Sequence, residues 1–306
     1  MEDALPTKFA GCLLGLAIGD ALGAELEGHA RPELFEAYLE GRLPPERIPL
    51  TMWTDDTALA VATAQSIVEC GQVSGPDLAA RYLAWFETDG RGIGRSTLAA
   101  MGRLQAGVPW DQAGEQGEAA AGNGVAMRIA PVGLLHWGDP NQVTEDVRTC
   151  GVITHRNEEA LIGGECVAYA VARACCRDFD PEGLGIELLN TIPASRCRDG
   201  IEQALTLWQA GAGPMDALVT LGLGGAAFET VPAALYCFWL GADDLQKTLC
   251  LSTLPGGDAD TRGAIAGAIC GTHLGASAIP RRWVDRLPGA KTFPGLASQL
   301  LDVAAR

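Results

Sequence analysis

The chain has 306 residues, with 38 Asp and Glu against 22 Lys and Arg and a formal net charge of −16 at pH 7. Hydrophobic residues at 48% and charged residues at 20% allow a sizeable core and argue against wholesale disorder. The acidity argues equally against a nucleic-acid surface or an anionic-membrane surface, since both need clustered Lys and Arg.

Apolar positions recur with a period of 3.6 in eleven stretches, which predict helices over 8–18, 31–40, 57–70, 76–87, 96–106, 142–152, 158–177, 198–210, 230–240, 244–252 and 262–276. Start signals precede several of them: Thr7, Ser74-Gly75-Pro76, and Asn141 ahead of the acidic turn Glu145-Asp146. No stretch alternates with period 2 and β-branched enrichment, so no sheet is expected. Small residues crowd 11–24 and 262–278, which predicts close helix packing there, while 88–95 and 113–124 are candidate surface loops. No linker or fixed-period repeat divides the chain, so residues 1–306 are read as a single domain.

Ten cysteines occur without a Cys-x-x-Cys pair, mostly in apolar helical contexts. They fit free thiols of a reducing, cytoplasmic compartment. Met1-Glu2-Asp3 lacks the basic region of a signal peptide. The apolar stretch 9–24 contains Asp20, and 215–242 is broken by Glu229 and Pro232, so neither is expected to span a membrane.

Two carboxylate-dense clusters stand far apart in the chain: Thr54-Asp55-Asp56-Thr57 and Gly256-Gly257-Asp258-Ala259-Asp260-Thr261. Both lie in apolar, small-residue surroundings, where an ionised carboxylate needs a counter-charge or a shifted pKa. Four aspartates with neighbouring threonine hydroxyls form a hard, all-oxygen donor set that suits Mg²⁺ or Mn²⁺ better than Zn²⁺. Two such clusters predict a two-metal site, with ions about 3.5–4 Å apart, and a fold that brings both ends of the chain together. The alternative is helix capping, by Thr54 or Asp55 ahead of 58–70 and by Asp258 or Asp260 ahead of 262–277. One Asp per cluster can cap, but the second has no such task.

Gly122-Asn123-Gly124 is ordinary turn chemistry by itself. Entering the 127–135 stretch, such a turn also exposes backbone amides able to cradle a diphosphate. Arg128, just beyond it, suits either a carboxylate or a phosphate partner. His155, one of four histidines, reads by itself first as a partly buried, hydrogen-bonded structural residue and only second as a ligand contact.

Taken in order, several segments resemble the ADP-ribosylglycohydrolases, the family that includes the dinitrogenase-reductase-activating glycohydrolase. They are Gly11-Cys12-Leu13-Leu14-Gly15-Leu16-Ala17-Ile18-Gly19-Asp20-Ala21-Leu22-Gly23, Thr54-Asp55-Asp56-Thr57, Gly122-Asn123-Gly124-Val125-Ala126-Met127-Arg128, Thr154-His155, Glu229-Thr230-Val231-Pro232-Ala233-Ala234-Leu235 and Gly256-Gly257-Asp258-Ala259-Asp260-Thr261-Arg262. The resemblance implies an all-α, single compact orthogonal domain of roughly a dozen helices with a dinuclear metal site. It implies two Mg²⁺, with Mn²⁺ the alternative, held by Thr54, Asp55, Asp56, Asp258, Asp260 and Thr261. The family's glutamate after the first glycine-rich helix falls on Glu27, with Glu25 close by. ADP-ribose would lie along Gly122, Asn123, Gly124, Met127 and His155, and along Gly92 and Gly94 of the 90–95 loop.

The implied activity is hydrolysis of the glycosidic bond between ADP-ribose and a protein side chain, or a related conjugate; a monomer is the default expectation. Glu27 would serve as general acid/base or as a gate over the metals. One departure concerns the linkage: arginine-specific members carry Asp-Ile-Gly where this chain reads Gly92-Ile93-Gly94. The loop Gly90-Arg91-Gly92-Ile93-Gly94-Arg95 looks like the version in members acting on serine-linked or polymeric ADP-ribose. Two other readings are a two-metal phosphoesterase or pyrophosphatase, which lacks a Lys/Arg-rich phosphate clamp here, and a non-catalytic ADP-ribose-binding relative, which would not need Glu27 and intact ligands.

Overall fold

Helix α1 (Leu5–Gly23) has no polar face: every residue from Phe9 to Gly23 is buried. The computed structural model describes residues 4–306; Met1-Glu2-Asp3, which lacks a basic region in the sequence, lies outside the described residues. By length and composition α1 is apolar enough to cross a membrane, yet 83% of that window is enclosed by the rest of the fold. Its main neighbour is α14 (Ala259–Leu274), and no other helix pair in the protein is in such extensive contact. The close packing predicted from small residues is present and has a specific form. Gly11, Gly15 and Gly19 recur every four residues on one face, and a Cβ on any of them would overlap the carbonyl of Gly271, Gly267 or Gly263 respectively. The converse overlaps hold for the three α14 glycines.

Each of the eleven predicted helical stretches coincides with a helix. Besides α1 and α14 these are α2 (Pro32–Leu39), α3 (Asp55–Cys70), α4 (Gly75–Thr88), α5 (Arg95–Gln105), α7 (Val143–Gly151), α8 (Glu158–Cys175), α10 (Arg196–Gln209), α12 (Ala227–Gly241) and α13 (Leu245–Thr253). Five more were not predicted, α6 (Ala130–Leu135), α9 (Leu184–Thr191), α11 (Pro214–Leu221), α15 (Arg281–Arg286) and α16 (Phe293–Ala304), giving sixteen among the described residues. Four of these five span two turns or so, too short for periodicity to register. Helix α16 is different: Phe293, Ala297, Leu300 and Val303 form a legible buried stripe, and the predicted set stops short of it. No strand occurs among the described residues, only four isolated bridges.

Local chemistry explains several helix starts. Asn157 caps α8 by accepting from the Glu159 and Ala160 amides, and Ser195 and Asp244 cap α10 and α13 in the same way. Two predicted start signals act otherwise. Thr7 sits inside α1, its hydroxyl donating to the Ala4 carbonyl. Asn141 lies in a 3₁₀ turn ahead of α7, whose cap position is Gln142. Buried apolar side chains form one cluster from Leu5 to Val303. All ten cysteines are free thiols; only Cys70 is exposed.

Candidate active site

The two acidic clusters become the N-termini of α3 and α14. Thr54 is the N-cap of α3, its Oγ1 accepting from the Asp56 amide at 3.4 Å, so the capping alternative holds for Thr54. A second group shares that work. The carboxylate of Asp20, fully buried on α1, accepts from the Thr54 and Thr57 amides at 3.0 Å and from the Thr57 hydroxyl at 2.6 Å. Asp55 and Asp56 lie in the first turn, free of capping duty. Asp258 occupies the N-cap position of α14 without a side-chain capping bond. Its Oδ2 instead accepts from Asn123 Nδ2 at 2.7 Å. Asp260, two residues on, accepts from the Thr261 amide.

Four loops meet at these helix ends. The turn carrying Glu27 is zipped to the segment before Asp258 by Gly28 N to Gly257 O (2.9 Å), Gly257 N to His29 O (3.2 Å) and Arg31 N to Pro255 O (2.9 Å). Asp258 N donates to Leu223 O, and Asn123 N to Gly225 O. Buried Arg262 donates from Nε to Ser252 O and from Nη2 to Gly256 O, fixing the turn that delivers Asp258. Buried Thr230 accepts from Asn123 Nδ2 at 2.9 Å, which holds the Gly122–Gly124 turn against α12.

The result is a cavity of about 280 Å³, near the lower end of small-molecule sites. It is lined by Glu27, Asp55, Asp56, Asp258, Asp260 and Thr261 together with Gly92, Gly94, Gly122, Asn123, Gly124, Met127 and His155. Of the residues the resemblance assigns to metal, ligand or catalysis, all line it except Thr54, which caps α3 through the Asp56 amide. Glu27 is exposed at the rim; Glu25 does not reach the cavity. Sequence reasoning missed the Arg95-Ser96-Thr97 start of α5 and Gly225, which also line it. Asp20 is a further functional residue not among the site candidates, although a lone carboxylate in an otherwise apolar helix is itself a signal.

Burial raises the pKa of Asp55 to about 7, with the Asp20 charge adding to the effect. Asp260 is pushed to about 9 by burial and then by Asp258 and Glu27. Asp56 is raised well above its ordinary value by burial, then by Asp260, Asp20, Asp55 and Asp258. Glu27 is raised by burial and by Asp258 and Asp20. Residues from both clusters thus feel one another across the cavity; among the described residues none of these carboxylates forms an ion pair, and Arg128 only partly offsets the rise at Asp55.

The donor set fits an oxygen-liganded divalent ion in chemistry. The sharpest sign is Asp56 Oδ2, a buried carboxylate oxygen without a hydrogen-bond partner. Among the described residues, however, no three His, Cys, Asp or Glu side chains already converge as a closed cage, so the donors are gathered but not focused on one point. Arg128 departs from both partners offered for it. It is fully buried and donates to the Gly124 carbonyl (2.5 Å), the Cys150 carbonyl (3.3 Å) and the Thr154 hydroxyl (2.6 Å).

Fold and site together define an all-helical protein with a carboxylate-lined cleft between two helix N-termini. The ADP-ribosylglycohydrolase family model matches residues 1–306, and the chain belongs to that family. The ADP-ribosylhydrolase ARH3 of Xenopus tropicalis is 31% identical, covering 98% of this chain and 96% of its own. The ADP-ribosylarginine hydrolase Tri1 of Pseudomonas putida is 28% identical over 96% of this chain and 78% of its own. A solved structure described as an ADP-ribosylglycohydrolase-related protein complex superposes with a TM-score of 0.73 at 31% identity, covering 99% of both chains.

Proposed function

We infer that this protein hydrolyses the glycosidic bond between ADP-ribose and a protein side chain or related conjugate, reversing ADP-ribosylation. The observation that carries this is the meeting of two acidic helix N-termini and the Gly122-Asn123-Gly124 turn at one cavity, in a chain that matches its family end to end. We propose Asp55, Asp56, Asp258 and Asp260, with Thr54 and Thr261, as holders of two divalent ions, Mg²⁺ first and Mn²⁺ as the alternative. Such ions supply Lewis-acid orientation of ribose hydroxyls and of a water molecule, and they offset the repulsion between an anionic ligand and a protein of charge −16.

The chain's own groups do the rest. Glu27, at the rim with a raised pKa, would take a proton from the attacking water or return one to the leaving group. Asn123 holds Asp258 and so ties the ligand turn to the acidic cluster. The glycines at 122 and 124 let backbone amides approach a diphosphate that side chains would keep away.

The test is a panel of arginine-, serine- and ester-linked ADP-ribosyl peptides and the polymer, assayed with and without Mg²⁺. Release of ADP-ribose that disappears on chelation supports both the activity and the metal. Release of AMP would point to a phosphoesterase instead, and silence across the whole panel would sink the proposal.

A further inference from the structure

His155 is only 3% exposed yet lines the cavity. Its Nδ1 lies 2.8 Å from Thr154 Oγ1, and that oxygen lies 2.6 Å from Arg128 Nη2. Its Nε2 has no protein partner among the described residues. The two ligand-turn glycines open it to the cavity: a Cβ on Gly122 would stand 3.4 Å from Nε2, and one on Gly124 would stand 3.1 Å from it.

The proton positions follow from the donor inventory. A guanidinium only donates, so Thr154 Oγ1 must accept from Arg128. The single hydroxyl proton of Thr154, in a fully buried position, has one acceptor in reach, His155 Nδ1. Nδ1 therefore accepts, and the ring proton sits on Nε2. The opposite tautomer would strand a buried hydroxyl donor. Burial pushes the His155 pKa down to about 3, with the Arg128 charge acting in the same direction, so the ring is neutral at physiological pH. Arg128 forms no ion pair with any described residue; its other contacts are two carbonyls and the face of Tyr82, 4.9 Å away.

We propose that Arg128 and Thr154 are positioning residues that lock His155 as the neutral Nε2–H tautomer, which makes it a hydrogen-bond donor to an acceptor oxygen of ADP-ribose. The inference rests on the proposed ADP-ribose site and adds that His155 contributes a directed N–H and no positive charge. One guanidinium thereby sets two parts of the site, since it also holds the Gly124 carbonyl.

The experiment uses the full chain labelled with ¹⁵N-histidine, in which four histidines keep assignment simple. At pH 7 the wild-type spectrum should show His155 protonated on Nε2. Thr154→Val removes the hydroxyl at nearly constant volume; it should give mixed tautomers and weaken ADP-ribose binding about three- to tenfold, the worth of one neutral hydrogen bond. Thr154→Ser should restore both. The same loss should appear in KM more than in kcat, a split that general destabilisation does not produce. Because the wild-type spectrum needs no variant, a Thr154→Val protein that fails to fold leaves the central claim open to refutation. A proton on Nδ1 in a wild-type protein that binds ADP-ribose would overturn the relay alone. The Nε2–H tautomer in a protein that binds no ADP-ribose would overturn the ligand assignment together with the proposed function.

Discussion

Asp56 carries an unpartnered buried oxygen and is the residue on which the metal proposal leans most. Asp56→Ala removes one anionic donor and one source of like-charge repulsion. Turnover should fall to background, and Mg²⁺ should no longer raise the melting temperature. The chelated variant should melt no lower than chelated wild type, because the remaining carboxylates repel less. Wild-type turnover at saturating Mg²⁺ would remove Asp56 from the ligand set. Glu27→Gln keeps size and one acceptor but loses the titratable oxygen. Activity should drop by about 10²–10⁴-fold with ADP-ribose binding retained; a loss under tenfold would assign proton transfer elsewhere.

Among the elements, the α1–α14 pair decides whether the two acidic helix ends meet. Its backbones touch through glycines, so Gly15→Ala must push a methyl into the Gly267 carbonyl. Overpacking of this kind costs about 1–3 kcal/mol and would also shift α14, so melting temperature and Mg²⁺ affinity should fall together. Unchanged values for both would mean that the helices can slide apart freely. The 90–95 loop is the other element with a specific consequence. Gly92 has φ +80, and a Cβ there would lie 2.9 Å from Asp55 Oδ1 and 3.2 Å from Thr54 Cβ. An aspartate at this position would therefore be strained and would face a carboxylate. Asp89, the nearest alternative acid, is engaged by Arg91 at 2.9 Å and does not line the cavity. Without an acid from this loop to meet a guanidinium leaving group, O-linked ADP-ribose (serine, ester or polymer) should be hydrolysed faster than the arginine-linked form. The reverse order on matched peptides would show that this loop does not set the linkage, and the 28% identity to an arginine-type hydrolase makes the comparison worth running.

Across the whole molecule, excess negative charge converges on one cavity, and stability should report it. In the metal-free protein the carboxyls of Asp55 and Asp260 stand at about 7 and about 9, up from 3.8. The folded state then holds these protons more tightly than the unfolded state. That stabilisation is complete below pH 3.8 and is lost as pH rises through the folded values. His155 acts oppositely, but only below pH 6.5, where the unfolded chain alone gains its proton. Between about pH 6.5 and 8.5 the chelated protein should therefore lose melting temperature, and the gap to the Mg²⁺-loaded protein should widen, since metal and protons compete for the same oxygens. A chelated protein that grows more stable over that range would contradict the charge arrangement.

The sequence by itself determined the helical class, eleven of the sixteen helices and the chemistry of the two clusters, because periodicity and donor type are local properties that survive without coordinates. It also identified thirteen of the eighteen residues lining the cavity, through ordered motifs that occur together. Only the tertiary structure decided how those residues divide their labour. Whether Asp258 caps its own helix or turns to Asn123 depends on a loop more than a hundred positions away in the chain, and Asp20 acts on Thr54 and Thr57 only once α1 lies beside α3. The roles of Arg128, Thr154 and His155 likewise follow from who donates to whom, and a donor's partner is fixed by packing in three dimensions, not by its neighbours along the chain.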